Sequence, residues 1–255
     1  MLDVHLPHKA AHTWVDFFIH VATICVGLLI AIGLEQTVEV FHHRNQVCEL
    51  EEQMHEVLEN DRQFVAKDRE ILRGSRAWLI DLQLAIIARR QGKAGGQPPP
   101  DDPRSLFVTI MPNLAPYEAA KQNGVIALLD TRRLRLFNRI EFQHEMMNRA
   151  FYQWLDTLKP ITALRMRSDF EPDEHLNFRP LRVPDLAKLS AAELAEYQAL
   201  IGTSIAYLDQ VVARLRNFDA LCDGILGGAT DEADLIRRAS AAIEAERTSD
   251  AHTKP

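Results

Sequence analysis

Eighteen consecutive residues without a formal charge, Phe17 to Leu34 in "FFIHVATICVGLLIAIGL", constrain this chain more than any other feature. At 1.5 Å rise per helical residue they cover about 27 Å, close to the hydrocarbon thickness of a bilayer. His20 and Thr23 are the clearly polar side chains within the stretch, and Trp14 precedes it where an amphipathic ring sits at headgroup level. Two other readings compete: the buried helix of a soluble protein, and a cleaved export signal with Phe17 to Ile30 as core and "AIG" at Ala31 to Gly33 as the small-x-small cut site. Cleavage fits poorly. Lys9 is the lone Lys or Arg before the stretch, Asp16 and His20 intrude, and helical pattern continues through "LEQTVEVFHHRNQVCELEEQ". The favoured reading is an uncut membrane anchor.

Orientation rests on the flanks. Lys9 and Arg44 tie under the positive-inside rule. A short N-terminal tail before a single span usually stays in the cytoplasm, and Glu35 and Glu39 mark the far side as less positive. The expectation is a bacterial inner-membrane protein that crosses once, with its C-terminal body in the periplasm.

The span has a distinctive face. At 100° per residue Asp16, His20, Thr23, Gly27 and Ala31 fall on one side, and Thr23, Gly27 and Ala31 form a small-xxx-small-xxx-small ladder. Such spacing lets helix backbones approach in lipid, so these five residues are read as a helix–helix seam. A lipid-facing helix with no special face is the plainer reading. A proton or metal site built from His8, His12, Asp16 and His20 is the sharper one, since ionisable groups at membrane depth are functional candidates.

Beyond the span, Glu35 to Gln91 contain one glycine, Gly74, and no proline. Apolar pairs recur every seven residues: Val57 and Leu58, Phe64 and Val65, Ile71 and Leu72, Trp78 and Leu79, Ala85 and Ile86. That period suits supercoiled packing, but Asp61, Asp68 and Ser75 lie between the pairs. The helix is therefore expected to pack a broad stripe against its own domain, with a long two-chain coil as the alternative. "RRQGKAGGQPPPDDPRS", residues 89 to 105, reads as an exposed linker. A short helix from Pro116 to Gln122 is expected to stop at a left-handed Gly124. Thr131 opens a long helix whose buried row is Phe137, Ile140, Met147, Phe151, Trp154 and Leu158, with His144 in the same row and Pro160 at its end or at a kink. Residues 169 to 186 read as an irregular connection. Ser190 and Glu193 form a capping box for a helix ending near Leu226, stopped by Gly227 and Gly228; a last helix covers about Asp231 to Glu246.

The predicted class is all-α: one N-terminal transmembrane helix continuing into a long helix, followed by a helical bundle. The expected divisions are a tail over 1–13, the transmembrane helix over 14–35, an amphipathic helix over 36–91, a Pro/Gly linker over 92–105, the remaining bundle over 106–246 and a polar tail over 247–255.

Two segments carry a resemblance. "VGLLIAIGLEQ", Val26 to Gln36, and "YEAAKQNGVIALLD", Tyr117 to Asp130, are similar to segments of a group of bacterial single-pass, N-terminally anchored helical membrane proteins of unknown function. The resemblance covers about a quarter of the chain and implies a helical domain tethered to the inner membrane, without implying an activity.

The chemical motifs are incomplete. "HEMMN" at His144 to Asn148 lacks the second histidine of the helical zinc motif. His42, His43 and His55 near Glu51 and Glu59 form a loose candidate for a divalent ion. "GILGGATD", Gly224 to Asp231, precedes a helix but lacks the Lys-Ser/Thr of a phosphate loop. Arg132, Arg135 and Arg139 crowd a helix start, where the dipole disfavours cations; an acidic partner or lipid headgroups would explain them, as would a solvated face. A net charge of −7 argues against nucleic acid as ligand. Among three cysteines without a CxxC, Cys48 and Cys222 would pair in an oxidising compartment or remain two buried thiols. No catalytic residue, cofactor or metal ligand is assigned, and the chain is not read as an enzyme. The expected partners are membrane lipid and a second copy or another membrane protein. The expected role is a structural or interaction protein that associates through its span; the alternative is a tethered sensor or regulatory subunit.

Overall fold

The computed structural model describes residues 14–93, 98–100, 114–168, 183 and 185–252. Among these the chain is all-α: α1 (Trp14–Arg90), α2 (Ala115–Gln122), a 3-10 turn (Val125–Leu128), α3 (Thr131–Ser168), α4 (Ala191–Leu226) and α5 (Glu232–His252). Packing separates two units, Met1–Glu51 and Glu52–Pro255.

In the first unit the described residues are a single stretch of α1. It holds an 18-residue window of mean hydropathy 2.5, none of it buried, long and apolar enough to cross a membrane by length and composition. His8 and His12 lie outside the described residues.

In the second unit α1 buries two rows, each repeating every seven residues. Leu58, Val65, Leu72, Leu79 and Ile86 form the apolar row. Asp61, Asp68, Ser75 and Leu82 form the other, so the polar positions that spoil a two-chain coil are core positions of this bundle. Both members of Trp78–Leu79 and Ala85–Ile86 are buried, whereas in the other three pairs Leu58, Val65 and Leu72 are buried and Val57 and Ile71 are half-covered. Phe64 is the one left out, 65% exposed. Trp78 is buried and its indole N–H donates to the Pro100 carbonyl at 2.7 Å, which pins Pro100 onto α1.

α3 and α4 are antiparallel. Gln143 reaches the Arg214 carbonyl at 3.5 Å, and eleven residues on Trp154 donates to Ser204 Oγ at 3.2 Å. Burial of an indole N–H and a hydroxyl is tolerated because each satisfies the other. The predicted row Phe137, Ile140, Met147, Phe151, Trp154 and Leu158 is buried. His144 is half-buried, and Gln143 takes the covered place beside it. Helix α3 continues through Pro160 to Ser168, so Pro160 does not end it.

Local signals account for the corners. Gly124 adopts φ 82°, open to glycine and strained for other residues, and turns the chain from α2 into the 3-10 turn. Tyr117, buried at the start of α2, donates to Asn138 Oδ1 of α3 at 2.5 Å. The α4 capping box is complete: the Glu193 amide donates to Ser190 Oγ at 3.2 Å, and the Ser190 amide donates to Glu193 Oε2 at 2.8 Å. Ser190→Ala is expected to cost about 1 kcal/mol in thermal unfolding of the detergent-solubilised chain, the usual worth of such a cap. α5 runs to His252, past the predicted end at Glu246 and into the residues read as a tail.

Candidate functional site

The five seam residues sit on α1 in the first unit, and all face away from the chain's own packing except Asp16, which is half-covered. His20 Nδ1 lies 2.9 Å from the Asp16 carbonyl, a hydrogen bond that places a proton on Nδ1. The Thr23 hydroxyl donates to the Ile19 carbonyl at 2.8 Å. Both side chains thus satisfy part of their polar demand inside the helix. A Cβ added at Gly27 would meet nothing within 4 Å, so the small residue is not required by any contact of this chain.

A second arrangement, not foreseen from sequence, joins α1 to α4 and α5 in the second unit. Arg62 Nε lies 2.7 Å from Asp223 Oδ1, and Arg69 Nη1 lies 2.7 Å from Asp219 Oδ2. Arg76 pairs with Asp209, and Arg90 donates to Gln198. Rising numbers on α1 meet falling numbers on α4, so these contacts fix an antiparallel register. Arg69 also pairs with Glu246 of α5, which Arg73 Nη2 shares at 2.5 Å. The sequence signal was present: Arg62, Arg69 and Arg76 are seven residues apart, and Arg90 keeps the phase.

Electrostatics in this layer follow burial first. Desolvation raises the Asp219 carboxyl, against the pull of Arg69. Desolvation raises the Cys222 thiol well above its usual value, helped by Asp61, Asp219 and Asp223. A fully buried thiol in that acidic setting is a poor thiolate and therefore unreactive. The three cysteines are free: Cys222 is buried, whereas Cys25 and Cys48 are exposed, so the reading of Cys48 as a buried thiol is corrected.

The remaining candidates resolve into structural roles. His144 Nε2 lies 3.1 Å from Asn148 Nδ2, so the residue replacing the second histidine is its hydrogen-bond neighbour. Among the described residues no three His, Cys, Asp or Glu side chains are placed to hold a metal, those around His42 and His55 included. The glycine-rich segment is a helix corner. A Cβ at Gly224 would come within 2.5 Å of Leu235 Cδ1, Gly228 takes φ 77°, and the Asp234 amide donates to Asp231 Oδ1 at 2.9 Å. The Arg238 hydrogen bond, with the Thr230 amide, holds the Asp234 carboxyl below its ordinary value.

The N-termini of α3 and α5 border an open cleft of about 590 Å³, lined by Thr131, Arg132 and Arg135 with Asp231, Glu232 and Ile236. Asp130 caps α3, its Oδ1 accepting from the Arg132 and Arg133 amides at 2.9 Å. Charges of both signs line the cleft, so neither an anion nor a cation is strongly selected. Arg139 lies apart from these two arginines in role, stacked 5.9 Å from the Phe142 ring. Compared with known protein families, curated proteins and solved structures, the chain matches none.

Proposed function

We propose that this chain is a single-pass anchor of the bacterial inner membrane that self-associates through its span and presents a helical bundle to the periplasm, as an interaction protein rather than an enzyme. On this reading it belongs with the single-pass group that its two segments resemble. One observation carries the proposal: the apolar window of α1 is wholly uncovered by the chain's own packing. The core helix of a soluble protein would be covered, and an exposed apolar surface of that size needs lipid or a partner. The seam Asp16, His20, Thr23, Gly27 and Ala31 supplies the face for a second helix.

Gly27→Ile tests it cleanly, because the added side chain has no clash inside the chain. The full-length protein should stay in alkali-washed membranes while its self-association in mild detergent weakens by about tenfold, equivalent to about 1.4 kcal/mol. Wild-type protein recovered in the aqueous fraction would refute the anchor, and unchanged association would refute the seam.

A further inference from the structure

The seam's phase does not stop at the end of the apolar window. Steps of four and three lead from Gly27 and Ala31 to Leu34, Val38, Phe41, Asn45 and Cys48, all within the first unit. Leu34, Val38 and Phe41 are 63%, 68% and 60% exposed, and Asn45 and Cys48 are exposed too. Glu52 and His55 take the next positions in phase, so the apolar face ends at Cys48. From there the core of the second unit is built on a different face of α1, the rows of Leu58 and Asp61.

We infer that residues 31–48 form a parallel two-stranded coiled coil with a second copy of this chain, continuing the membrane seam out of the lipid. This rests on the self-association proposed above and names its stoichiometry, direction and register. Three features select two parallel strands. In heptad register Ala31, Val38 and Asn45 occupy a positions, and Gly27, Leu34, Phe41 and Cys48 occupy d positions. A β-branched Val at a with Leu at d favours two strands, and one Asn at a is the device that fixes register and dimeric state. Arg44 at g and Glu49 at the following e have opposite charge, and in a parallel pair those positions meet across the seam. The outer positions carry Glu39, His43 and Gln46 beside Val40, with His43 Nε2 3.9 Å from Glu39. A segment this short is marginal alone, so confinement of both helices to one membrane supplies the proximity the coil needs.

Thiol cross-linking of the full chain in native membranes tests this. In a Cys25→Ser background, Cys48 should join two copies through a short bis-maleimide. With Cys48→Ser added, Val38→Cys and Phe41→Cys should cross-link several-fold more than Glu39→Cys, His43→Cys and Gln46→Cys; buried Cys222 stays unlabelled. Asn45→Val should convert a single dimeric mass in detergent to a mixture with larger species. A dimeric mass with uniform cross-linking around the helix would overturn the coil and leave the span seam standing. Seam-specific cross-linking that survives Gly27→Ile with undiminished association would support the coil and remove the span seam. A monomeric mass without cross-links overturns both.

Discussion

Arg69→Ala is expected to destabilise the bundle by about 3 kcal/mol, the cost of removing one partner from a buried ionic group. For a body of this size that lowers the thermal midpoint by about 10 °C. The side chain of Arg69 is 11% exposed and faces Asp219 at 17% and Glu246 at 26%, so truncation leaves two largely desolvated carboxylates with a shared cation gone. Arg73 stays with Glu246 but is itself half-exposed, and the cation left acting on Asp219 is Arg62, which is already paired with Asp223. The raised Asp219 carboxyl shows that pairing does not fully offset its desolvation. The triad therefore adds little net stability when intact and costs much when broken. Replacing all three together, Arg69→Met, Asp219→Leu and Glu246→Met, should recover most of what the single substitution loses. Urea unfolding of the detergent-solubilised chain, followed through its tryptophans, separates the two. An Arg69→Ala loss under 1 kcal/mol would show that this triad does not hold the register of α1 against α4.

What the sequence disclosed and what it withheld divide along a physical line. Gly124, the Ser190–Glu193 box and the α3 row were legible because each is decided by residues within a turn or two. The polar row of α1 was not, since Asp61 and Asp68 looked like faults in a coiled-coil pattern when they are core positions. Their neighbours on α4 come from about 150 positions away, as the Arg69–Asp219 pair illustrates. Phe64 failed for a related reason: an apolar pair shows that a face is near the core without saying which member enters it. Pro160, read as the end of α3 or a kink in it, does not end the helix, since burial of Leu158, Ile161 and Leu164 on either side can outweigh one lost backbone bond. For the candidate site, spacing alone placed Asp16, His20, Thr23, Gly27 and Ala31 on one face. Its continuation through Val38, Phe41 and Asn45 carries one apolar residue per turn, a thin signal until their exposure distinguished that face from the buried one.

Removing the charge of Asp68 by Asp68→Asn is expected to stabilise the protein near pH 7.5 by about 2 to 3 kcal/mol and to leave it nearly unchanged below pH 4. Asp68 is 8% exposed, and burial lifts its carboxyl from 3.8 to about 6, with Lys67 pulling weakly the other way. Below pH 3.8 the folded and unfolded carboxyls are both protonated and the residue carries no penalty. Between 3.8 and about 6 the unfolded chain has lost this proton while the folded chain still holds it. The unfolded state then binds fewer protons, so stability falls as pH rises through that window. Above about 6 the loss is complete, and a gap of about two units is worth about 3 kcal/mol. An amide keeps the size and much of the polarity but cannot ionise, so its stability curve should be flatter between pH 4 and 6 than the wild type's. Thermal midpoints of both proteins, measured every half unit from pH 3.5 to 8, give the comparison. Parallel curves across that range would mean that water or a neighbouring cation already solvates the Asp68 carboxylate, and that the second row of α1 accommodates a charge without cost.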